Sequence, residues 1–250
     1  FHLTECFGPV LGLMRANDLD HAIDLQNAPA YGLTGGIQSL DPKEIEHWLA
    51  RVQVGNAYVN RHITGAIVQR QPFGGWKASR VGPGCKPGGP NHLSTYGTWT
   101  TPGDNRVPDF GAAWASAFSI STDATGLRSE SNVLRYARLD HVIARVDGDD
   151  TEIDVLRAAA QVTGVPLDIS SANSEDDAAL ITRLRGASGE VRLRLLTAAS
   201  TDVIDAAVTA GVTIDRAPVT TVGRLELPHW LKEQAISRTM HRYGRLLSET

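Results

Sequence analysis

Two stretches of this chain carry residue types that could do chemistry. Glu5-Cys6-Phe7-Gly8-Pro9-Val10 sets a carboxylate, a thiol and an aromatic ring close together. A carboxylate is a two-oxygen acceptor suited to a vicinal diol, and an aromatic face can hold a flat ring in place. The second stretch runs from Asn60-Arg61-His62-Ile63-Thr64-Gly65-Ala66 to Gln71-Pro72-Phe73-Gly74-Gly75-Trp76-Lys77. It is too irregular for a helix or strand and too rich in committed residue types for a linker. Gly65, Gly74 and Gly75 let backbone approach something closely, and Phe73 offers a flat apolar wall beside them.

The elements that must position these stretches follow a βα rhythm. Asp18 caps a predicted helix to about Gln26, with Leu19, Ala22, Ile23 and Gln26 on one face, ended by Pro29 and Gly32. A strand follows near 33–39. Asp41-Pro42 starts a second helix, with Glu44 completing a capping box and Ile45, Trp48, Leu49 and Val52 as the buried stripe. Asn56–Val59 is a short strand. This alternation implies a parallel sheet covered by helices. From Asn60 to about Pro102 the rhythm stops, and a domain boundary is placed in the polar run 97–109, dividing the chain into 1–102 and 103–250.

The rhythm then resumes. Strands are predicted over 139–146, 166–169, 191–196 and 212–214. Helices are predicted over 150–163, closed by Gly164; 174–184, capped by Ser174; and 200–210, closed by Gly211. These make a small doubly wound, Rossmann-like domain. Residues 225–247 read as one long terminal helix with a basic end, interrupted by Gly244. The fold class is therefore α/β. The turn after Val146, Asp147-Gly148-Asp149-Asp150, would repel a pyrophosphate, so the second domain is not expected to bind a dinucleotide.

Composition bounds the function. The chain has 250 residues, 42% hydrophobic and 21% charged, an ordinary soluble balance able to bury a core. A formal net charge of −4 argues against nucleic acid as a partner. Two cysteines form neither a disulfide framework nor a metal cluster and fit a reducing, cytoplasmic compartment. No pair among the scattered histidines has helical metal spacing, and no apolar run is long enough to span a bilayer. The chain opens at Phe1 with residues that already read as the middle of a fold, so a preceding portion of the same polypeptide is expected.

The motifs carry a family resemblance. Glu5-Cys6-Phe7-Gly8-Pro9 resembles the E-x-F-G-P signature of the aldehyde dehydrogenase superfamily, and Gln71-Pro72-Phe73-Gly74-Gly75 resembles its late P-F-G-G signature. Asn60–Ala66 resembles the aldehyde anchor loop of the L-glutamate γ-semialdehyde (Δ1-pyrroline-5-carboxylate) dehydrogenases. The resemblance implies that Glu5 accepts from the nicotinamide ribose hydroxyls of NAD and that Phe7 packs by the nicotinamide ring. It implies that the Gly65 and Ala66 N–H groups bind the substrate α-carboxylate and that Phe73 packs along the substrate's aliphatic part. A nest of backbone donors is neutral, fixed and specific for a carboxylate, and holding the amino-acid head positions the aldehyde carbon. The catalytic cysteine and general-base glutamate of the family lie upstream of its E-x-F-G-P motif, so no catalytic residue is expected here. Cys6 reads as a small buried hydrophobe and Cys85 as part of a structural loop. His62 reads as a loop-surface histidine.

The run Lys86-Pro87-Gly88-Gly89-Pro90-Asn91-His92-Leu93 resembles the K-A-G-G-P-N-Y-L segment of the same subfamily. Pro87 and His92 depart from it, as does Arg80 after Ser79, where Gly is commoner. Residues from about 110 onward, through Arg224-Leu225-Glu226-Leu227, Glu233–Arg238 and His241-Arg242-Tyr243-Gly244, resemble the C-terminal domain of the bifunctional proline utilization A (PutA) flavoenzymes. In that family this domain is an aldehyde-dehydrogenase-like fold without activity, thought to cover a tunnel between active sites. The implied whole is an NAD-dependent glutamate-semialdehyde dehydrogenase of proline catabolism, homo-oligomeric. FAD is expected only in an upstream proline dehydrogenase module, and this chain alone is expected to be inactive. A stand-alone aldehyde dehydrogenase with a C-terminal extension, and a non-catalytic assembly or lid module, remain open alternatives.

Overall fold

The structure, a computed structural model, describes residues 2–63, 65–80, 82, 84–99, 107–148, 150–242 and 245–246. Asp18 caps α1 (Leu19–Asn27), its carboxylate accepting from the His21 amide. The short β1 (Tyr31–Gly32) and β2 (Thr34–Ile37) follow. Asp41 caps α2 (Pro42–Arg51), accepting from the Lys43 amide, with Pro42 in the first turn. The predicted capping box differs in one link. Glu44 accepts from the Ser39 hydroxyl, and it is Ser39 Oγ that accepts from the Asp41 amide. β3 (Asn56–Val59) is buried along its whole length. Ile23, Ile45, Trp48, Val52, Val54, Ala57 and Val59 form one apolar core, as their spacing predicts.

The chain divides into two compact units: Phe1–Arg80 with Thr122–Leu134 and Gln234–Thr250, and Val81–Ser121 with Arg135–Glu233. The boundary predicted between 102 and 103 falls outside the described residues. The spatial division follows no single cut in sequence, because two long strands each run from one unit into the other. β4 (Trp76–Lys77) pairs antiparallel with β1. A 3₁₀ turn over His92–Tyr96 precedes α3 (Phe110–Ala113), which passes into a π-helical turn over Trp114–Phe118.

The second unit holds the predicted doubly wound domain. After β5 (Glu130–Arg138) come β6 (His141–Val146), α4 (Asp150–Thr163), β7 (Leu167–Ser171), α5 (Asp177–Arg185), β8 (Val191–Leu195), α6 (Thr201–Thr209) and β9 (Thr213–Asp215). The sheet order is β7-β6-β8-β9, with every pairing parallel. Gly164 and Gly211 close α4 and α6 at φ values of +69° and +72°, the region glycine enters without a side-chain clash. The N-cap of α5 is Asp176 rather than Ser174, whose amide instead closes a turn onto Ser171.

The predicted terminal helix is wrong. A short α7 (Gly223–Glu226) runs into a 3₁₀ turn over Leu227–Trp230, and β10 (Leu231–Thr239) follows as a strand. Leu231-Lys232-Glu233-Gln234-Ala235 are strong helix formers by propensity, yet all five are buried. Pairing of Ala235–Arg238 with Asn56–Val59 overrides that propensity, since tertiary burial outweighs a few tenths of a kcal/mol per residue. β10 lies between β3 and β5 in the sheet β2-β3-β10-β5. The chain then forms the hairpin β11 (His241–Arg242) and β12 (Arg245–Leu246).

Candidate functional site

The anchor loop leaves the end of β3 through Asn60. This residue has a φ of +55°, a conformation asparagine tolerates better than most residues. Its side chain clasps the end of β2: the amide nitrogen donates to Ser39 O (2.8 Å) and the amide oxygen accepts from Ser39 N (2.9 Å). Gly36 of β2 leaves room for Ile63, since a Cβ there would stand 2.8 Å from the Ile63 Cδ1. Thr64 lies outside the described residues.

Gly65 has a φ of +91°, which side chains rarely adopt, and a Cβ placed on it would lie 3.9 Å from the Phe73 ring. The structure therefore brings Gly65 and Phe73 together. Gly65, Ala66 and Phe73 are each half-buried. Among the described residues, no protein acceptor takes the Gly65 or Ala66 N–H. Two adjacent backbone N–H groups left open in this way can donate to an anion.

The loop closes with a turn at 67–70, where the Arg70 amide bonds Ile67 O (3.0 Å) and Gln69 has a φ of +65°. The Gly74-Gly75 pair makes the close approach that its glycines predict. The close approach is to protein backbone: a Cβ on Gly55 would stand 2.0 Å from Gly74 O, and one on Gly75 would stand 2.6 Å from Ser79 O. The buried Asn56 fixes the same bend, donating to Pro72 O and accepting from Gly74 N, both at 3.1 Å.

Several positioning residues escaped sequence reasoning. The Glu130 carboxylate, on β5, holds both Arg61 (2.7 Å) and Arg70. Buried Gln71 donates to Asn132 and to Ser237, and Ser237 donates to Asn132 (2.9 Å). Glu130 and Asn132 occupy the buried face of β5, so hydrophobic alternation gives no sign of them.

Glu5 and Phe7 lie elsewhere. The segment before α1 has no regular structure, Glu5 is exposed and Phe7 is 94% exposed. Among the described residues nothing joins either to the anchor loop. Cys6, expected to be buried, is exposed in the same segment, which has no sheet partner to cover it. His62 is exposed, as predicted. Cys85 is unsuited to nucleophilic work: burial, with the Glu233 carboxylate nearby, pushes its thiol up to about 12.

The second unit contains a cavity of about 430 Å³ bordered by Cys85, Trp99, Asp215, Arg216 and His229. Asp215 bonds His229 Nδ1 at 2.6 Å. Burial pushes the Asp215 carboxyl up, but the charge and hydrogen bond of His229, with Arg194 and Arg192, outweigh it and hold the group well below the carboxylate range. Among the described residues no His, Cys, Asp and Glu cluster suits a metal, and no helix is long and apolar enough to cross a membrane.

Comparison with known proteins matches residues 1–101 to the aldehyde dehydrogenase family. The chain is 46% identical over 92 residues to 1-pyrroline-5-carboxylate dehydrogenase 1 of Halalkalibacterium halodurans, covering 37% of this chain and 18% of that one. It is 46% identical over 89 residues to the 1-pyrroline-5-carboxylate dehydrogenase of Geobacillus thermodenitrificans, covering 36% and 17%. The structure of proline utilization A (PutA) from Corynebacterium freiburgense superposes with a TM-score of 0.81 at 42% identity, over 98% of this chain and 27% of that chain. The chain thus spans under a fifth of the curated dehydrogenases and about a quarter of PutA. Residues 1–101 are therefore similar to part of an aldehyde dehydrogenase family domain, and the whole chain has the fold of a segment of PutA.

Proposed function

We propose that this chain forms the substrate-anchoring end of an NAD-dependent L-glutamate γ-semialdehyde dehydrogenase in a PutA-type bifunctional protein. The observation that carries this reading is the pair of open amides at Gly65 and Ala66 beside the Phe73 ring. Two N–H groups donate to the α-carboxylate of the semialdehyde, and the ring packs along its methylenes. Each charge-assisted bond of this kind contributes about 1.5–3 kcal/mol. The anchored head then holds the aldehyde carbon at a fixed distance from the nucleophile. The buried Cys85 thiol does not fit that nucleophile, and the family's cysteine lies upstream of the motif that Glu5–Pro9 resembles, so this reading places it outside the chain.

Aldehyde dehydrogenases in general use NAD or NADP, and the bound nicotinamide supplies the hydride acceptor. Glu5 and Phe7 have the chemistry to hold a ribose diol and a flat ring. The described residues build no wall around them. Residues 103–250 act as a non-catalytic cover, and the intact protein is cytoplasmic and homo-oligomeric. The stand-alone enzyme and the purely structural module are not favoured, because one likeness to PutA runs over 98% of the chain.

Gly65→Ala tests the reading. A methyl group fits beside Phe73, but the φ of +91° forces the loop to move. The KM for glutamate semialdehyde should rise about tenfold or more, with propanal kinetics changed less than about twofold. Equal effects on both aldehydes would remove the anchor assignment.

A further inference from the structure

The two arginines that flank Gly65-Ala66 at equal distance along the chain converge on one carboxylate. Arg61 Nη1 donates to one Glu130 oxygen at 2.7 Å, and Arg70 Nη1 donates to the other. The Glu130 side chain is 10% exposed, that of Arg61 17% and that of Arg70 41%. With the carboxylate in place the cluster carries one net positive charge. Without it, two guanidinium groups at opposite ends of the loop would repel each other at short range in a poorly solvated place. Just beyond Arg70, Gln71 ties the loop to Asn132, two residues along β5 from Glu130, and to Ser237 on β10. Its amide oxygen also accepts from the Ile67 amide at 3.4 Å. The loop is thus held at both ends, while the two amides between the ends stay open. Glu130, Asn132 and Ser237 all lie beyond the residues 1–101 that match the aldehyde dehydrogenase family.

We propose that Glu130 is a positioning residue for the substrate-carboxylate site. By bridging Arg61 and Arg70 it sets the distance between the ends of the anchor loop, and so the angle at which the Gly65 and Ala66 N–H groups meet the amino-acid head of the aldehyde. This rests on the reading of those amides as the substrate donors. It also gives the C-terminal region a part in selecting the substrate: the brace comes from β5 and β10, not from the matched family segment. Glu130 touches neither substrate nor cofactor and acts through the arginines.

The test uses the full-length protein with Glu130→Gln, an isosteric change that leaves both arginines a neutral acceptor. The KM for glutamate semialdehyde should rise about tenfold, while its kcat and the kcat/KM for propanal stay within about twofold. The inhibition constant of L-glutamate should rise in parallel. Arg70→Gln, at the more exposed end of the brace, removes a single tether and should raise the same KM about threefold. Combined with Glu130→Gln it should add nothing further, since both act through one network. A uniform loss on both aldehydes would reduce the brace to a structural role and overturn the proposal, as would an unchanged KM in both variants. Gly65→Ala, assayed beside them, separates the two failures. If it shifts only glutamate semialdehyde while neither brace variant does, the positioning role of Glu130 falls alone. If Gly65→Ala itself is not selective, the anchor reading beneath it falls.

Discussion

In the second unit the Glu226 carboxylate, with no exposed surface, accepts from Arg194 Nη1 (2.7 Å), Trp230 Nε1 (3.0 Å) and the Thr220 amide (3.1 Å). In the first unit the Glu130 carboxylate is also taken up by protein donors, but those donors are the ends of a loop whose middle is open. The first cluster closes on itself. Every strong donor around Glu226 belongs to the fold, and together they join β8 to the turn that follows α7. The second cluster stops short of closing, and the groups left over are two backbone amides. Buried carboxylates alone therefore do not mark a site; what marks it is a rigid frame with donors left unused inside it.

The two carboxylates should differ most in what their removal costs, and Glu226 should cost the more in stability. Among the described residues, Glu226→Ala leaves buried Arg194 with one carboxylate within 4 Å, Asp215 at 3.7 Å, beside the Ala217 carbonyl oxygen at 3.1 Å. Removing one partner of such a pair should destabilise the second unit by about 3–5 kcal/mol. Denaturant unfolding measures this, and an unchanged midpoint would show that the closed cluster locks nothing. Glutamate-semialdehyde selectivity, by contrast, should survive wherever the protein still folds.

A smaller effect sharpens the contrast within the second unit. Burial pushes the Lys86 amine down from 10.5 to about 7, with the Glu233 carboxylate pulling the other way. Between these values the unfolded chain holds a proton that the folded chain has released, so stability rises with pH from about 7 towards 10. Below that window the penalty for a buried ammonium is present in full. The gain is on the order of a few kcal/mol. Burial raises the Glu233 carboxyl above 4.5 despite bonds from Asn91 and the Lys86 amide, so its slope has the opposite sign at lower pH. Lys86→Met should flatten the rise above pH 7 as measured by urea unfolding across pH. The same slope in the variant would assign it to another group.

Much of the frame was legible in the sequence. Asp18 and Asp41 cap helices through the side-chain bonds their positions predict. The βα alternation after residue 139 yields the parallel sheet because each strand there is bounded by its own cap or glycine. The failures share one cause. β5 and β10 bury polar faces, Glu130 and Asn132 on one and Lys232, Glu233 and Gln234 on the other, where partners far away in sequence satisfy them. Hydrophobic patterning registers apolar burial only, so β5 goes without a strand assignment and β10 reads as helix. The proposed anchor residues Gly65, Ala66 and Phe73 are picked out through motif likeness alone. The brace beneath them is not, because nothing local links Arg61 and Arg70 to a glutamate on β5.

On the proposed reading, the Gly65 and Ala66 amides grip the amino-acid end of the substrate. A crystal structure of the full-length protein with L-glutamate bound tests it most directly. The α-carboxylate oxygens should lie within about 3 Å of both nitrogens, with the ligand's methylenes against the Phe73 ring. L-glutamate ordered in the active site with its α-carboxylate away from that turn would contradict the account.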